Sequence, residues 1–454
     1  MITLTSLTKQ GRVVERQYDT RTAKFFTPAG ERIRIEKGAD IAPAAAVPQT
    51  CDGAPKPKRN MTPTSPKYRN RLTRDTKSPD PKLIRIQLGL SCNYACSHCK
   101  QSVHVEDAVN SSMKDVDDFI AHFDDWCVAP REDTIQIHLW GGEPLVYFAK
   151  IKKLVPFLRS RFDHASIFAL SNGSLVDKEI ADYFIENDIA LGMSHDGPGQ
   201  TQYRKEDPLA EGSDSLKWIK YYLANSKNGF GANAVLSKQN CDPQAVVDHI
   251  RGVLGEKVHV GFEGIVVVEN EAQFGADALF SDDDYAVLRD NIRGFIASGN
   301  ALHVAPFNRK FNALMDAWTN PKFFLPDNLM QKCGLDDNHT LAVNLQGDVL
   351  LCQSDTIKIG TLDDLPSVRV SNSKSIHWHD RAECPTCPVL TICGGGCMTQ
   401  AGNEWYYSCN NEFHFNLAIF EAAYEFLFDE RIIALSGDAL VRPKKKAVMP
   451  IKTG

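Results

Sequence analysis

The chain has 454 residues, 43% of them hydrophobic, and a net charge of −6, enough to bury a large core divided into two to four structural units. No apolar run approaches the roughly 18 residues of a membrane helix. Met1–Arg16 also lacks the charged-then-apolar order of a signal peptide, so a cytoplasmic protein with no membrane and no nucleic-acid partner is expected. Thirteen cysteines is a high count for a compartment that disfavours disulfides. Metal ligation or redox chemistry therefore becomes the first explanation for the cysteines that cluster.

Charge is unevenly spread: residues 1–82 hold 17 Lys and Arg against 8 Asp and Glu, leaving 34 against 49 for the rest. Val13–Ile35 reads as two short strands, RVVERQY and ERIRIE, around a Thr27-Pro28-Ala29-Gly30 turn, which makes 1–41 a small β-rich unit. Residues 42–82 form a basic, Pro-rich linker with too few large apolar residues to offset its ordering entropy. It is either a solvated segment or an arm for an acidic partner.

From Leu83 to residue 280, six strand-like runs (LIRIQLGL, TIQIHLW, ASIFAL, IALGMS, GANAVL and KVHVGF) alternate with helical periods at Ile151–Phe162, Asp177–Asn187, Leu216–Ala224 and Gln244–Leu254. Six βα units imply a parallel sheet that curls toward a barrel and carries its active site at the carboxyl ends of the strands. Residues 281–332 read as a helical bridge containing Asp282–Ser298 and Arg309–Thr319, and 333–412 as a cysteine-rich unit. A helix about Phe413–Leu427 and a basic tail complete residues 413–454.

The first run leads straight into Cys92-Asn93-Tyr94-Ala95-Cys96-Ser97-His98-Cys99. Three thiolates on one loop suffice for three irons of a [4Fe–4S] cube and leave the fourth iron open; a zinc knuckle lacking a ligand is the ordinary alternative. The spacing resembles that of the radical S-adenosylmethionine (SAM) superfamily, with His98 at a position the family usually fills with an aromatic residue. Trp140-Gly141-Gly142-Glu143-Pro144, at the end of the second run, is similar to the family segment that binds the SAM amino group. The resemblance likewise assigns Ser171, Asn172 and Ser194 to the ribose and carboxylate of SAM, with Arg204 close by.

Downstream, Cys333, Gly347 and Cys352 are followed by Cys384, Cys387, Cys393, Cys397 and Cys409, in the order C-x13-G-x4-C, C-x2-C-x5-C-x3-C, C. Every interval resembles the SPASM domain of radical SAM peptide and protein maturases. The family's pattern implies one auxiliary cluster on Cys384, Cys387, Cys393 and Cys409, and a second on Cys333, Cys352 and Cys397 that is one ligand short. Asp336, Asp337 or His339 fills that place, or it stays open for substrate. A pair of structural zinc sites is the plain alternative. Cys51, Cys127 and Cys241 read as ordinary thiols.

The resemblance thus implies an α/β protein: a partial (β/α)6 TIM-like barrel with an N-terminal β-rich extension and a C-terminal iron–sulfur SPASM domain. It further implies SAM and three [4Fe–4S] clusters as cofactors. The activity expected is that of a maturase in which a 5′-deoxyadenosyl radical takes a hydrogen atom from a residue of a ribosomally made peptide or protein, giving a crosslink or an oxidation. A flavodoxin or ferredoxin would supply electrons, and Asp196 is the candidate base. An anaerobic sulfatase-maturating, formylglycine-forming enzyme is the alternative within the class; a non-catalytic iron–sulfur electron-transfer protein is the alternative outside it.

Overall fold

The computed structural model describes residues 1–35, 76–103, 111–266, 279–325, 329–370 and 375–445. The linker up to Asp75, with most of the basic arm and Cys51, and the tail from Lys446 onward lie outside the described residues.

All six expected runs form strands: β5 (Leu83–Gln87), β6 (Thr134–Trp140), β7 (His164–Ser171), β8 (Ala190–Ser194), β9 (Gly231–Leu236) and β10 (His259–Ile265). They pair in parallel in chain order. Each is followed by a helix, and for all but the helix Phe148–Arg161 after β6 the start is written in the sequence. Ser112, Asp177, Ser213, Asp242 and Ser281 cap Met113–Ala121, Lys178–Glu186, Asp214–Asn225, Pro243–Leu254 and Asp282–Ala297 by accepting a backbone N–H. Strand alternation sorts the side chains. Ile84, Ile86, Ile135, Ile137, Leu139 and Ile167 are buried in the core shared with the helix Phe148–Arg161. Arg85, His138, Trp140 and Phe168, one residue out of step, face the interior.

The sheet does not stop at β5. On its far side the sheet continues into β11 (Thr340–Asn344), parallel and in register from Leu83 opposite Thr340 to Gln87 opposite Asn344. β12 (Asp348–Leu350) and β13 (Lys358–Thr361) then follow, both antiparallel. The hairpin of the cysteine-rich region therefore covers what would otherwise be an open edge of the barrel sheet.

At the other end of the molecule a second sheet runs in the order β14-β1-β2-β3-β4. Its members are β1 (Ile2–Thr8), β2 (Val13–Asp19), β3 (Lys24–Phe26), β4 (Arg32–Ile33) and β14 (Glu430–Ser436). Here the sequence reading is corrected twice. Residues 413–454 hold a strand, which pairs with β1, rather than only a helix and a tail. The helix before it spans Gly402–Phe428, because buried polar residues such as Ser408, Asn411 and Asn416 hide its periodicity. Tyr18, on β2, meets Phe420 of this helix edge to face at 5.3 Å. Arg16, Tyr424 and Ser6 converge on the buried Glu430, closing the two chain ends together.

Candidate active site

The loop carrying Cys92, Cys96 and Cys99 is held by the strand ends around it. Gly142 N–H donates to the Gly89 carbonyl at 3.0 Å and Glu143 N–H to that of Ser91 at 3.1 Å. A Cβ at Gly142 would overlap the carbonyl oxygens of Leu90 and Ser91, so this glycine serves the close contact of two loops. The Tyr147 hydroxyl accepts from Ser91 N–H at 2.7 Å, and Asn172 Nδ2 donates to Asn93 Oδ1 at 2.9 Å.

Glu143 is 1% exposed and ties β6 to β7: its carboxylate accepts from Leu145 N–H (2.9 Å), Ser171 Oγ (2.8 Å) and Asn172 N–H (2.7 Å). Burial pushes this carboxyl up, and the three donors pull it back. Burial, with Arg204 beside it, lowers the His98 imidazole to about 4, and its ring meets Tyr203 edge to face.

The structure sorts the downstream cysteines into two groups. Cys384, Cys387, Cys393 and Cys409 line one small pocket together with Trp405 and Arg442. Cys333, Cys352 and Cys397 line a separate, larger cavity of about 1110 Å³. Burial pushes Cys387 up to about 11 and Cys333 and Cys409 to about 12, and raises Cys96 to about 11. Such thiols stay protonated at neutral pH, and a metal that supplied compensating charge would ionise them, which is the donor chemistry an iron–sulfur cluster requires. Among the described residues every cysteine is free of disulfides.

The large cavity joins both ends of the barrel. Its wall includes Ser194 and Arg204 at the strand ends, His138, Asn233, His259 and Glu263 along the strands, and the three cysteines opposite. Of the residues assigned to SAM, Ser194 and Arg204 face this space, whereas Gly141, Gly142, Glu143, Ser171 and Asn172 form the hydrogen-bonded collar around the cysteine loop. The inward-facing Arg85 and His138 escaped the sequence reading, although strand alternation marks them.

One candidate role changes. Asp196 accepts from Arg204 Nε (2.7 Å) and Nη2 (3.2 Å) and from Val235 N–H (3.0 Å). A carboxylate with those donors positions Arg204 and is poorly placed to act as a base. Asp336 Oδ2 accepts from Gln331 N–H (3.0 Å) and bonds His377 Nε2 (3.2 Å), while its buried Oδ1 has no partner among the described residues and its charge acts on Cys333, so it stays a candidate ligand; His339 Nδ1 bonds the Asp80 carbonyl at 2.7 Å. Neither they nor Asp337 lines the cavity. Finally, His195, Asp207 and His249 approach one another closely enough for a cation. However, His195 Nδ1 accepts from Gly197 N–H at 3.0 Å, so its Nε2 carries the proton given to Asp207 at 2.8 Å and has no lone pair for a metal.

No family model matches the chain. The radical SAM cyclopropyl synthase TigE of Paramaledivibacter caminithermalis is 22% identical over 360 residues, covering 73% of this chain and 70% of that protein. An uncharacterized protein of Methanocaldococcus jannaschii is 28% identical over 166 residues, 35% of this chain and 54% of its own length. Among solved structures, native anSMEcpe with bound AdoMet covers 76% of this chain and 98% of its own, with a TM-score of 0.53 at 17% identity. The same protein with AdoMet and Cp18Cys peptide gives a TM-score of 0.54 at 17% identity, with the same coverage of both chains.

The parallel sheet, the three-cysteine loop at its first strand end and the two downstream cysteine groups together define the class the chain is similar to: its fold is that of the radical SAM enzymes with a SPASM domain. Among the described residues no helix is long and apolar enough to cross a membrane.

Proposed function

We propose that the chain is a radical SAM maturase that modifies a residue of a ribosomally made peptide or protein. The observation that carries the reading is the cavity of about 1110 Å³ that runs from Ser194 and Arg204 to Cys333, Cys352 and Cys397. The space that SAM and the auxiliary cluster leave between them faces both groups, which is where a reacting side chain would sit. The structural neighbour anSMEcpe, described with AdoMet and Cp18Cys peptide, supports the same substrate class.

In this reading Cys92, Cys96 and Cys99 hold the cluster that binds SAM; Cys384, Cys387, Cys393 and Cys409 close one auxiliary cluster; and Cys333, Cys352 and Cys397 hold the other at the cavity wall. When bound, these groups supply a 5′-deoxyadenosyl radical for hydrogen abstraction and a sink for the electron left on the substrate. The chain's own residues do the remainder. Glu143 fastens the cysteine loop to the strand ends, and Asp196 aims Arg204 into the cavity. The proton that the substrate loses goes to the cavity wall, where Glu263, His138 and His259 are the available acceptors. The product is a thioether, carbon–carbon or related crosslink, or an oxidised side chain, and a flavodoxin or ferredoxin serves as donor.

Anaerobic incubation with dithionite and SAM tests the reading. The expected result is release of 5′-deoxyadenosine together with about twelve irons per chain, four for each cube. A bare electron carrier releases none, and stoichiometric zinc would sink the cluster assignment.

A further inference from the structure

The last cysteine of the loop is followed at once by Lys100, whose side chain reaches Cys397 of the three-cysteine group. Its Nζ donates to Cys397 Sγ at 3.4 Å and to Thr399 Oγ1 at 2.5 Å, and Thr399 Oγ1 lies 3.1 Å from the same sulfur. Lys100, Cys397 and Thr399 all line the cavity. Arg85 reaches the same group from the barrel, donating from Nη2 to the Cys333 carbonyl at 3.2 Å. Two cations therefore flank three half-buried thiols, with the carboxylates of Asp336 acting on Cys333 and of Asp355 on Cys352.

A cation within hydrogen-bond reach of a ligand sulfur favours the more negative, reduced state of whatever cluster that sulfur holds, and hydrogen bonds to sulfur act in the same direction. The contact also joins two regions 297 residues apart through one side chain. We propose that Lys100 is a positioning residue that couples the two centres: it pins the SAM-cluster loop to the Cys333/Cys352/Cys397 group and raises the reduction potential of the cluster held there. The inference rests on the proposed assignment of those cysteines as ligands.

The test is an EPR-monitored redox titration of the full-length, anaerobically reconstituted protein, comparing the natural chain with Lys100→Met, Lys100→Arg and Cys397→Ala. Methionine keeps an unbranched stem and removes the charge, while arginine keeps the charge. Cys397→Ala identifies the signal that belongs to the three-cysteine cluster. In Lys100→Met that signal should move to lower potential while the signal of the four-cysteine cluster stays in place, and Lys100→Arg should restore it. Loss of that one cluster in Lys100→Met, with Lys100→Arg intact, also supports the role of the charge. An unmoved midpoint in Lys100→Met overturns the proposal, as does equal behaviour of the two lysine variants. If Cys397→Ala removes neither iron nor signal, the ligand assignment itself fails and the proposal falls with it.

Discussion

The three-cysteine loop and the four-cysteine pocket solve the same problem in opposite ways. Cys92, Cys96 and Cys99 come from one short loop, Cys92 is exposed, and the loop keeps its shape because Glu143, Tyr147 and Asn172 hold it from outside. In the pocket, Cys384 and Cys409 are 5% and 8% exposed, and the cysteines come from the turns and the one-turn helix Leu390–Cys393 on one side and from the helix Gly402–Phe428, with its Trp405, on the other. A site that must admit a ligand cannot be closed by its own side chains, so its rigidity is borrowed from a surrounding collar. A site that only holds charge is closed and buried.

The most severe test of this contrast replaces Cys92, Cys96 and Cys99 by alanine. Deoxyadenosine release should fall below detection while iron drops only from about twelve to about eight per chain, since the closed pocket does not depend on the loop. Iron loss well beyond that would mean the groups assemble as one unit.

Next comes Asp196→Asn, which leaves the buried Arg204 without its carboxylate; breaking such a pair costs about 3–5 kcal/mol. SAM cleavage and peptide modification should then fall together. Continued cleavage without modified peptide, measured by chromatography of both products, would return Asp196 to the role of base.

Glu143→Gln should act in the same direction but more weakly. One amide hydrogen must then face a backbone N–H, at a cost of about 1–3 kcal/mol, visible as a lower melting temperature of the metal-free chain and weaker SAM binding. Unchanged SAM affinity would separate the collar from the cofactor site.

The smallest effect concerns pH. Burial raises the Cys409 thiol from about 9 to about 12 in the metal-free fold, so its stabilising contribution is complete below about pH 9 and is lost as pH rises toward 12. The pocket should loosen in that window, and Cys409→Ser should shed part of the alkaline loss in a denaturation series. Because loading requires thiolates, cluster assembly should in turn improve as pH rises from about 6 to 8.

What the sequence determined by itself was local. The cysteine intervals, the N-cap residues and the period-two runs of β5 to β10 each lie within a few residues, where spacing and backbone geometry act directly. The tertiary structure decided the rest. β14 joins β1 and β11 joins β5 through backbone hydrogen bonds that leave no signature in either segment's composition. Asp196 reads as a candidate base from its place at a strand end, and only the fold shows its pairing with Arg204 and Val235 N–H. Nothing local marks Lys100, and only the fold brings it to Cys397. Such contacts depend on closing long loops, and neither hydrophobic period nor residue propensity records where a loop closes.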